Sequence, residues 1–276
     1  MKTACGVIAY NRPRYLERSL SQLCQQVSVE AVFVDGPRDP GDVWKCEGSA
    51  KIARRADPFA QVYLNSTNLD VSIQWHACLN YLFGSLAADV AFVFEDDLVP
   101  GPRYVETLRK ALSAAPMAGM VTAFMDRPEV TPYLQSGGFT FPGHLWGVAI
   151  RRWAWEECRD DLNRLVSLTY DKSPLVRVDN VRTIYEALRI NPNTSCLYDG
   201  MLSAIMMQQQ IPFLAVACNH GSYIGEQGCQ SGPADYAKTG YGEWPVDRPP
   251  EVLSRPSDNF LAALKETVER KYGITE

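Results

Sequence analysis

Along the first half of the chain, continuous apolar runs alternate with segments of helical spacing. Thr3 to Tyr10 is such a run and predicts a buried strand. Asn11-Arg12-Pro13-Arg14 stops it and reads as an exit loop. From Tyr15 to Gln25 the residues Leu16, Leu20, Leu23 and Cys24 fall on one helical face. Val29 to Val34 predicts a second strand, closed by Asp35-Gly36-Pro37. Strand, helix and strand with short turns make a βαβ unit, hence a right-handed crossover and a parallel sheet. Residues 38–59 read as surface loop with a short helix, and Gln61 to Asn65 as a third strand. Asn68-Leu69-Asp70 opens a helix through about Phe83, with Val71, Trp75, Cys78, Leu79 and Leu82 on its apolar side.

The next run organises the rest. Val90 to Phe94 is uninterrupted, as in a strand buried on both faces of a parallel sheet. Glu95, Asp96 and Asp97 follow at once. Pro100, Gly101 and Pro102 then break the chain before a helical pattern from Arg103 to Ala114. One acid at a helix start serves the dipole, but three directly after a buried strand exceed that need. Buried carboxylates are costly unless positive charge compensates them. A hard divalent cation, Mn²⁺ or Mg²⁺, is the natural candidate. Ligands of parallel sheets bind beyond the carboxyl ends of the strands, where Arg12, Asp35 and the triplet all fall.

In the second half, Ala118 to Phe124 predicts a strand and Gln135 to Pro142 a polar, glycine-rich loop. His144 to Ile150 reads as a short strand, followed by a helix to about Cys158. Residues 159–195 are charged and read as irregular. Leu197-Tyr198-Asp199-Gly200 leads into helical Met201 to Gln209, and Ile211 to Cys218 is the last strand. It ends in Asn219-His220-Gly221-Ser222 and then Gly225-Glu226-Gln227-Gly228, read as a mobile lid. A tail from Pro233 closes with a helix after Pro256, carrying Phe260, Leu261, Leu264 and Val268 on one face and Gly273 as terminator. The expected organisation is one α/β domain over 1–232 with a C-terminal tail and helix over 233–276. Its first half is about 1–100 and its second about 101–232.

Composition narrows the class. Hydrophobic residues are 46% of 276, enough for a packed core. The net charge of −5 argues against a nucleic-acid binder with a broad basic surface. No apolar run reaches the ~18 residues of a membrane span. The eight cysteines form no C-x-x-C pair, which disfavours zinc and suits a reducing cytoplasm. Peripheral association with a membrane is compatible with that location. Neither G-x-G-x-x-G nor G-x-x-x-x-G-K-[ST] occurs at the first strand–helix turn, so a diphosphate there needs another partner.

Two motifs carry a resemblance. Phe94-Glu95-Asp96-Asp97-Leu98 with Pro102 and Tyr104, and Ile8-Ala9-Tyr10-Asn11-Arg12-Pro13 with Leu16 and Leu20, resemble GT-A glycosyltransferases. The acidic motif is most similar to the type I N-acetylglucosaminyltransferase branch. The resemblance implies a GT-A, Rossmann-like, mostly parallel sheet flanked by helices. It implies metal-dependent transfer, with inversion, from a nucleotide-sugar (UDP-sugar foremost) to a hydroxyl of a carbohydrate, glycolipid or other acceptor. Tyr10, Arg12, Asp35, Gln74, Glu95, Asp96, Trp146 and Gly147 would then contact the donor. Asp97 and His220 would bind the metal, and Asp199 would be the base. Plainer roles stand beside these: Asp35 as a turn-former, Asp199 as a helix N-cap and Trp146 as core. His76 reads as structural. A retaining transferase, a nucleotidyltransferase and a non-catalytic sugar-nucleotide-binding module stay open, as does a homo-oligomer.

Overall fold

The structure is a computed structural model that describes residues 1–125, 137–141, 144–169, 174–192, 197–226, 233–239, 246 and 252–272. Gln135, Pro142, Cys196, Gln227, Gly228, Cys229 and Gly273 lie outside the described residues, as do the side chains of Arg177 and Val268.

The first half builds the parallel core. Strands β1 (Thr3–Ala9), β2 (Ala31–Val34), β3 (Gln61–Leu64) and β4 (Val90–Glu95) are joined through helices α1 (Pro13–Leu23), α2 (Val43–Ala56) and α3 (Val71–Leu79). Helix α3 continues as a wider turn over Asn80–Ser85. β1 pairs in parallel with both β2 and β4, and β2 with β3. The two inner strands are almost wholly buried because helices cover both faces. Ala91, Phe92, Val93 and Phe94 all have no exposed surface. Each large apolar side chain so buried contributes about 1.5–3 kcal/mol.

The second half adds β6 (Met120–Thr122), β7 (Phe139–Thr140), β8 (Val148–Arg151) and β9 (Phe213–Val216). The sheet runs β3-β2-β1-β4-β8-β6-β9-β7. Here β8 is antiparallel to both neighbours, β6 and β9 are parallel, and β7 is antiparallel. Helices α4 (Tyr104–Ala114), α5 (Arg152–Thr169), α6 (Pro174–Ala187) and α7 (Tyr198–Gln208) accompany these strands. The result is an α/β domain with a mostly parallel central sheet flanked by helices. A separate antiparallel ribbon joins β5 (Leu98–Pro100) to β10 (Gly221–Tyr223). In the tail, α8 (Pro233–Thr239) is followed by α9 (Asp258–Tyr272), whose Phe260 and Leu264 are buried against α7.

Three elements differ from the sequence expectation. Helix α2 fills most of the segment read as loop; its inner face is Cys46, Ser49, Ala50 and Ala53, too small and polar to give a strong apolar period. Helix α5 runs on to Thr169 and α6 follows, where charged, irregular chain was expected. In α5, Trp155, Cys158, Leu162, Leu165 and Val166 are buried at helical spacing beneath a charged outer face. The expected lid residues Gly221 to Tyr223 are paired in the β5–β10 ribbon.

Cys5, Cys46, Cys78 and Cys158 are buried free thiols that pack as small apolar groups. Burial pushes the Cys158 thiol up to about 12, away from reactivity. Among the described residues no helix is long and apolar enough to cross a membrane.

Candidate active site

The register of β1 and β4 pairs Ile8 with Glu95. Both strands end there, so the residues just beyond them meet at one edge of the sheet. The Tyr10 backbone N–H donates to Asp96 Oδ2 at 3.1 Å. Arg12, at the entry to α1, spans two carboxylates. Its Nη1 donates to Asp97 Oδ2 at 2.7 Å and its Nη2 forms a close ion pair with Asp96 Oδ1. Asp96 is 1% exposed and Asp97 4%. Burial alone would lower the guanidinium, but Asp96 and then Asp97 hold it charged, well above its ordinary value. Burial pushes the Asp96 carboxyl up to about 6, with Arg12 restraining the rise.

Glu95 faces another partner. Its Oε1 accepts the indole N–H of Trp75 at 3.0 Å. Burial, and next the charge of Asp97, push its carboxyl up to about 8. Near neutral pH this third acid therefore keeps its proton. Asp97 differs again: its Oδ1 is buried and has no hydrogen-bond partner among the described residues. A bare carboxylate oxygen beside a second carboxylate suits a hard divalent cation. Among the described residues no group of three or more His, Cys, Asp or Glu is placed to hold one. A cation at Asp97 would thus complete its shell with ligand or solvent oxygens.

Asp199 arrives from a distant part of the chain. Helix α7 starts at Tyr198 with Leu197 as its N-cap, so Asp199 lies in the first turn and is not the cap. Its Oδ1 accepts the Gly200 N–H at 2.8 Å. The Tyr198 ring stacks on Trp75 with centroids 5.6 Å apart and planes 16° apart. Trp75 in turn holds Glu95, and the charge of Asp199 is one of those raising the Glu95 carboxyl. Arg12, Glu95, Asp96 and Asp97 are therefore brought to one place, with Asp199 within electrostatic reach of Glu95.

Asp35 and Gln74 are placed otherwise. Asp35 stands at the end of β2 as expected, but its carboxylate is filled from within. Oδ1 accepts from Gly36 N, Asn65 Nδ2, Leu69 N and Gln74 Nε2, and Oδ2 from Asn68 Nδ2 and Asp70 N, at 2.7–3.3 Å. The two residues are 4% and 3% exposed. A uracil contact by Asp35, and a donor contact by Gln74, would have to break this network. Both residues shape the loop before α3. Tyr10 gives its hydroxyl to Asp42 Oδ2 at 2.7 Å, so its backbone N–H is what serves the acid cluster.

Trp146 corrects a further expectation. Its ring is parallel to His144 (centroids 4.4 Å, 6°) and to Tyr223 (3.9 Å, 5°). Two parallel rings that close to one centroid cannot share a face, so both faces of the indole are covered. A sugar stacked on it would have to displace one of these rings. Gly147 has φ +61°, and a Cβ there would lie 2.5 Å from Leu98 Cδ2 and 2.7 Å from the Tyr104 hydroxyl. That hydroxyl donates to the Gly147 carbonyl at 2.9 Å, so the glycine is required by packing on Tyr104.

His220 is not brought to Asp97. The ribbon pairs Tyr223 with Leu98 and Gly221 with Pro100. Ile224 N donates to the Asp97 carbonyl at 2.8 Å, and Gly101 N to the His220 carbonyl at 2.6 Å. The two partners are four residues apart along the ladder, roughly 13 Å at a strand's rise. His220 is fully buried, with Nε2 3.0 Å from Cys218 Sγ. The residues that reach Asp97 are Ile224 and Gly225; a Cβ on Gly225 would lie 2.8 Å from Asp97 Oδ2. The sequence reading passed over Ile224, gave Gly225 only to a lid, and treated Trp75 as only apolar. A buried indole needs a hydrogen-bond acceptor, and the acidic strand that follows α3 was the available signal.

No protein-family model matches the sequence, and no curated protein matches it. Among solved structures, the chain is similar to mannose-1-phosphate geranyltransferase from Thermus thermophilus. The identity is 17% over 78% of this chain and 74% of the other, with a TM-score of 0.45. It is also similar to residues 1–349 of S. aureus TarS, at 12% identity over 75% and 70% of the two chains, with a TM-score of 0.43. Likeness of this order assigns no activity, and the site must speak through its own residues.

Proposed function

We propose that the chain is a cation-assisted glycosyltransferase. It moves a sugar from a nucleoside diphosphate sugar, UDP-sugar first, to a hydroxyl of a carbohydrate, glycolipid or other acceptor, with inversion. The observation that supports this is the Arg12–Asp96–Asp97 cluster at the carboxyl edge of the sheet, with Asp97 Oδ1 buried and unpartnered among the described residues and Asp199 near enough for its charge to act on Glu95. The N-acetylhexosamine donors of the type I branch are the first to try, because the acidic motif is most similar to that branch.

Each residue has a separable task. Asp199 takes the proton of the acceptor hydroxyl as its oxygen bonds to the anomeric carbon. The bond from that carbon to the diphosphate oxygen breaks, and its electron pair leaves with the diphosphate. Arg12 offers a planar fork matched to phosphate oxygens. Asp97, with Asp96 beside it, would hold Mn²⁺ or Mg²⁺. Such a cation supplies Lewis-acid stabilisation of the departing charge. Glu95, held by the Trp75 indole beside this pair, would contact the donor sugar.

A thermal-shift panel of UDP-, GDP-, TDP- and CMP-sugars, each with and without Mn²⁺, tests the reading. Ligand at 100 times its Kd stabilises by ~2.7 kcal/mol, an easily read shift. The expected result is a Mn²⁺-dependent shift with one nucleotide class, followed by transfer with anomeric inversion seen by NMR. No shift with any of the donors would sink the proposal.

A further inference from the structure

The acid cluster already holds a cation. Among the described residues, Arg12 is the base that ion-pairs with the triplet, and it does so with two different carboxylates. The two oxygens of Asp97 are consequently unequal. Oδ2 lies under the guanidinium and against Gly225, while Oδ1 is buried without a partner. Arg12 Nε is likewise buried and without a partner among the described residues. The guanidinium therefore neutralises the acids without using its full set of five donors. Arg12 sits where β1 gives way to α1, and no side-chain cap fastens that helix start.

We infer that Arg12 is an internal counterion which occupies the cluster until a nucleoside diphosphate arrives, then moves its fork to the diphosphate and frees Asp97 for a divalent cation. The inference rests on the proposed function and deepens it. With Arg12 in place, an incoming cation meets a partly neutralised cluster and a like charge within a few ångströms. With Arg12 on the diphosphate, Asp96 and Asp97 expose two uncompensated charges, which a divalent ion matches. Diphosphate and cation thus both favour the arrangement in which Arg12 has left Asp97. Ligands that favour one state of a shared element bind cooperatively, and the coupling is reciprocal.

The test is the Mn²⁺ affinity of the full chain, by electron paramagnetic resonance and calorimetry, with and without UDP. Wild type should bind Mn²⁺ weakly alone and about tenfold or more tightly with UDP, a coupling of ~1.4 kcal/mol or more. UDP affinity should rise by the same factor with Mn²⁺. Arg12→Met keeps an unbranched apolar stem and removes the charge and the fork. It should bind Mn²⁺ alone at least about tenfold more tightly than wild type, with UDP adding little. Arg12→Lys keeps the charge and loses the fork, so its Mn²⁺ affinity alone should match wild type while the coupling shrinks. Unchanged or weaker Mn²⁺ binding in Arg12→Met overturns the inference. Should that variant fail to fold, undiminished coupling in Arg12→Lys does the same. Wild-type protein that binds neither UDP nor Mn²⁺ removes the proposed function and this inference together. Binding of both without coupling removes only the role of Arg12.

Discussion

Asp35 and Asp97 end two strands that flank β1 in the same sheet, and both are 4% exposed. Asp35 accepts hydrogen bonds from six donors of its own chain. Asp97 accepts one from Arg12 on one side-chain oxygen and leaves the other bare. Position at the carboxyl edge does not by itself make a ligand. A buried carboxylate whose lone pairs are filled by backbone and amide donors is part of the scaffold. One left half-filled beside other charges is poised for something from outside.

The largest effect that could break this contrast is catalytic. Asp199→Asn should lower turnover by about 10²–10⁴-fold, with donor affinity unchanged, since it removes the proposed base and leaves the proposed diphosphate site whole. Normal turnover would take the base away from Asp199. Next comes stability. Asp35→Ala orphans several buried donors and should cost about 3–5 kcal/mol in urea unfolding. Asp97→Asn should cost less, about 1–2 kcal/mol, because Arg12 keeps its pair with Asp96 and the amide oxygen can still accept from its Nη1. Equal destabilisation by the two would erase the distinction.

A pH experiment sharpens it. The Glu95 carboxyl lies near 8 in the folded protein against an ordinary 4.5. The fold therefore holds a proton that the unfolded chain has released. This group's contribution to stability is intact below about pH 4.5, declines as pH rises, and is lost above about 8. Asp96, near 6 against 3.8, adds a shorter decline of the same sign. Glu95→Gln keeps an acceptor for Trp75 and removes its share of the slope. It should exceed wild type in stability by ~1 kcal/mol or more at pH 8, and not at pH 4.5. The smallest effect concerns the aromatic stack. Trp146→Leu should cost ~1–3 kcal/mol of stability through its lost ring pairs and leave donor affinity unchanged. A large loss of donor affinity would reopen a sugar contact at that ring.

The sequence made the parallel core legible because β1, β2 and β4 are continuous apolar runs, and a run buried on both faces has few other readings. It also placed Arg12 and the acidic triplet at one edge, since both follow directly from where those runs stop. Helix α2 was expected only as a short helix because small and polar residues line its inner face. Trp146, Gly147 and His220 could not be resolved for a different reason. Their surroundings are supplied by Tyr223, Tyr104 and Pro100–Gly101, which reach them only through tertiary pairing. A one-dimensional pattern states that a residue is apolar or glycine; it does not state which of its faces is already taken. The surroundings of Asp35 were hidden in the same way, its donors being spread over 36–74.

The β5–β10 ribbon has a consequence for the order in which the site comes into being. Asp97 is fixed at its carbonyl by Ile224, which leaves the ribosome more than a hundred residues later. Closing so long a loop is entropically unfavourable and is compensated only when the remaining sheet has formed. A nascent chain that has emerged only as far as Pro102 carries all three acids yet lacks the strand that sets their backbone. The acid cluster is thus completed late, as a property of the larger part of the polypeptide, and a half-synthesised molecule holds its carboxylates without the strand that orders them.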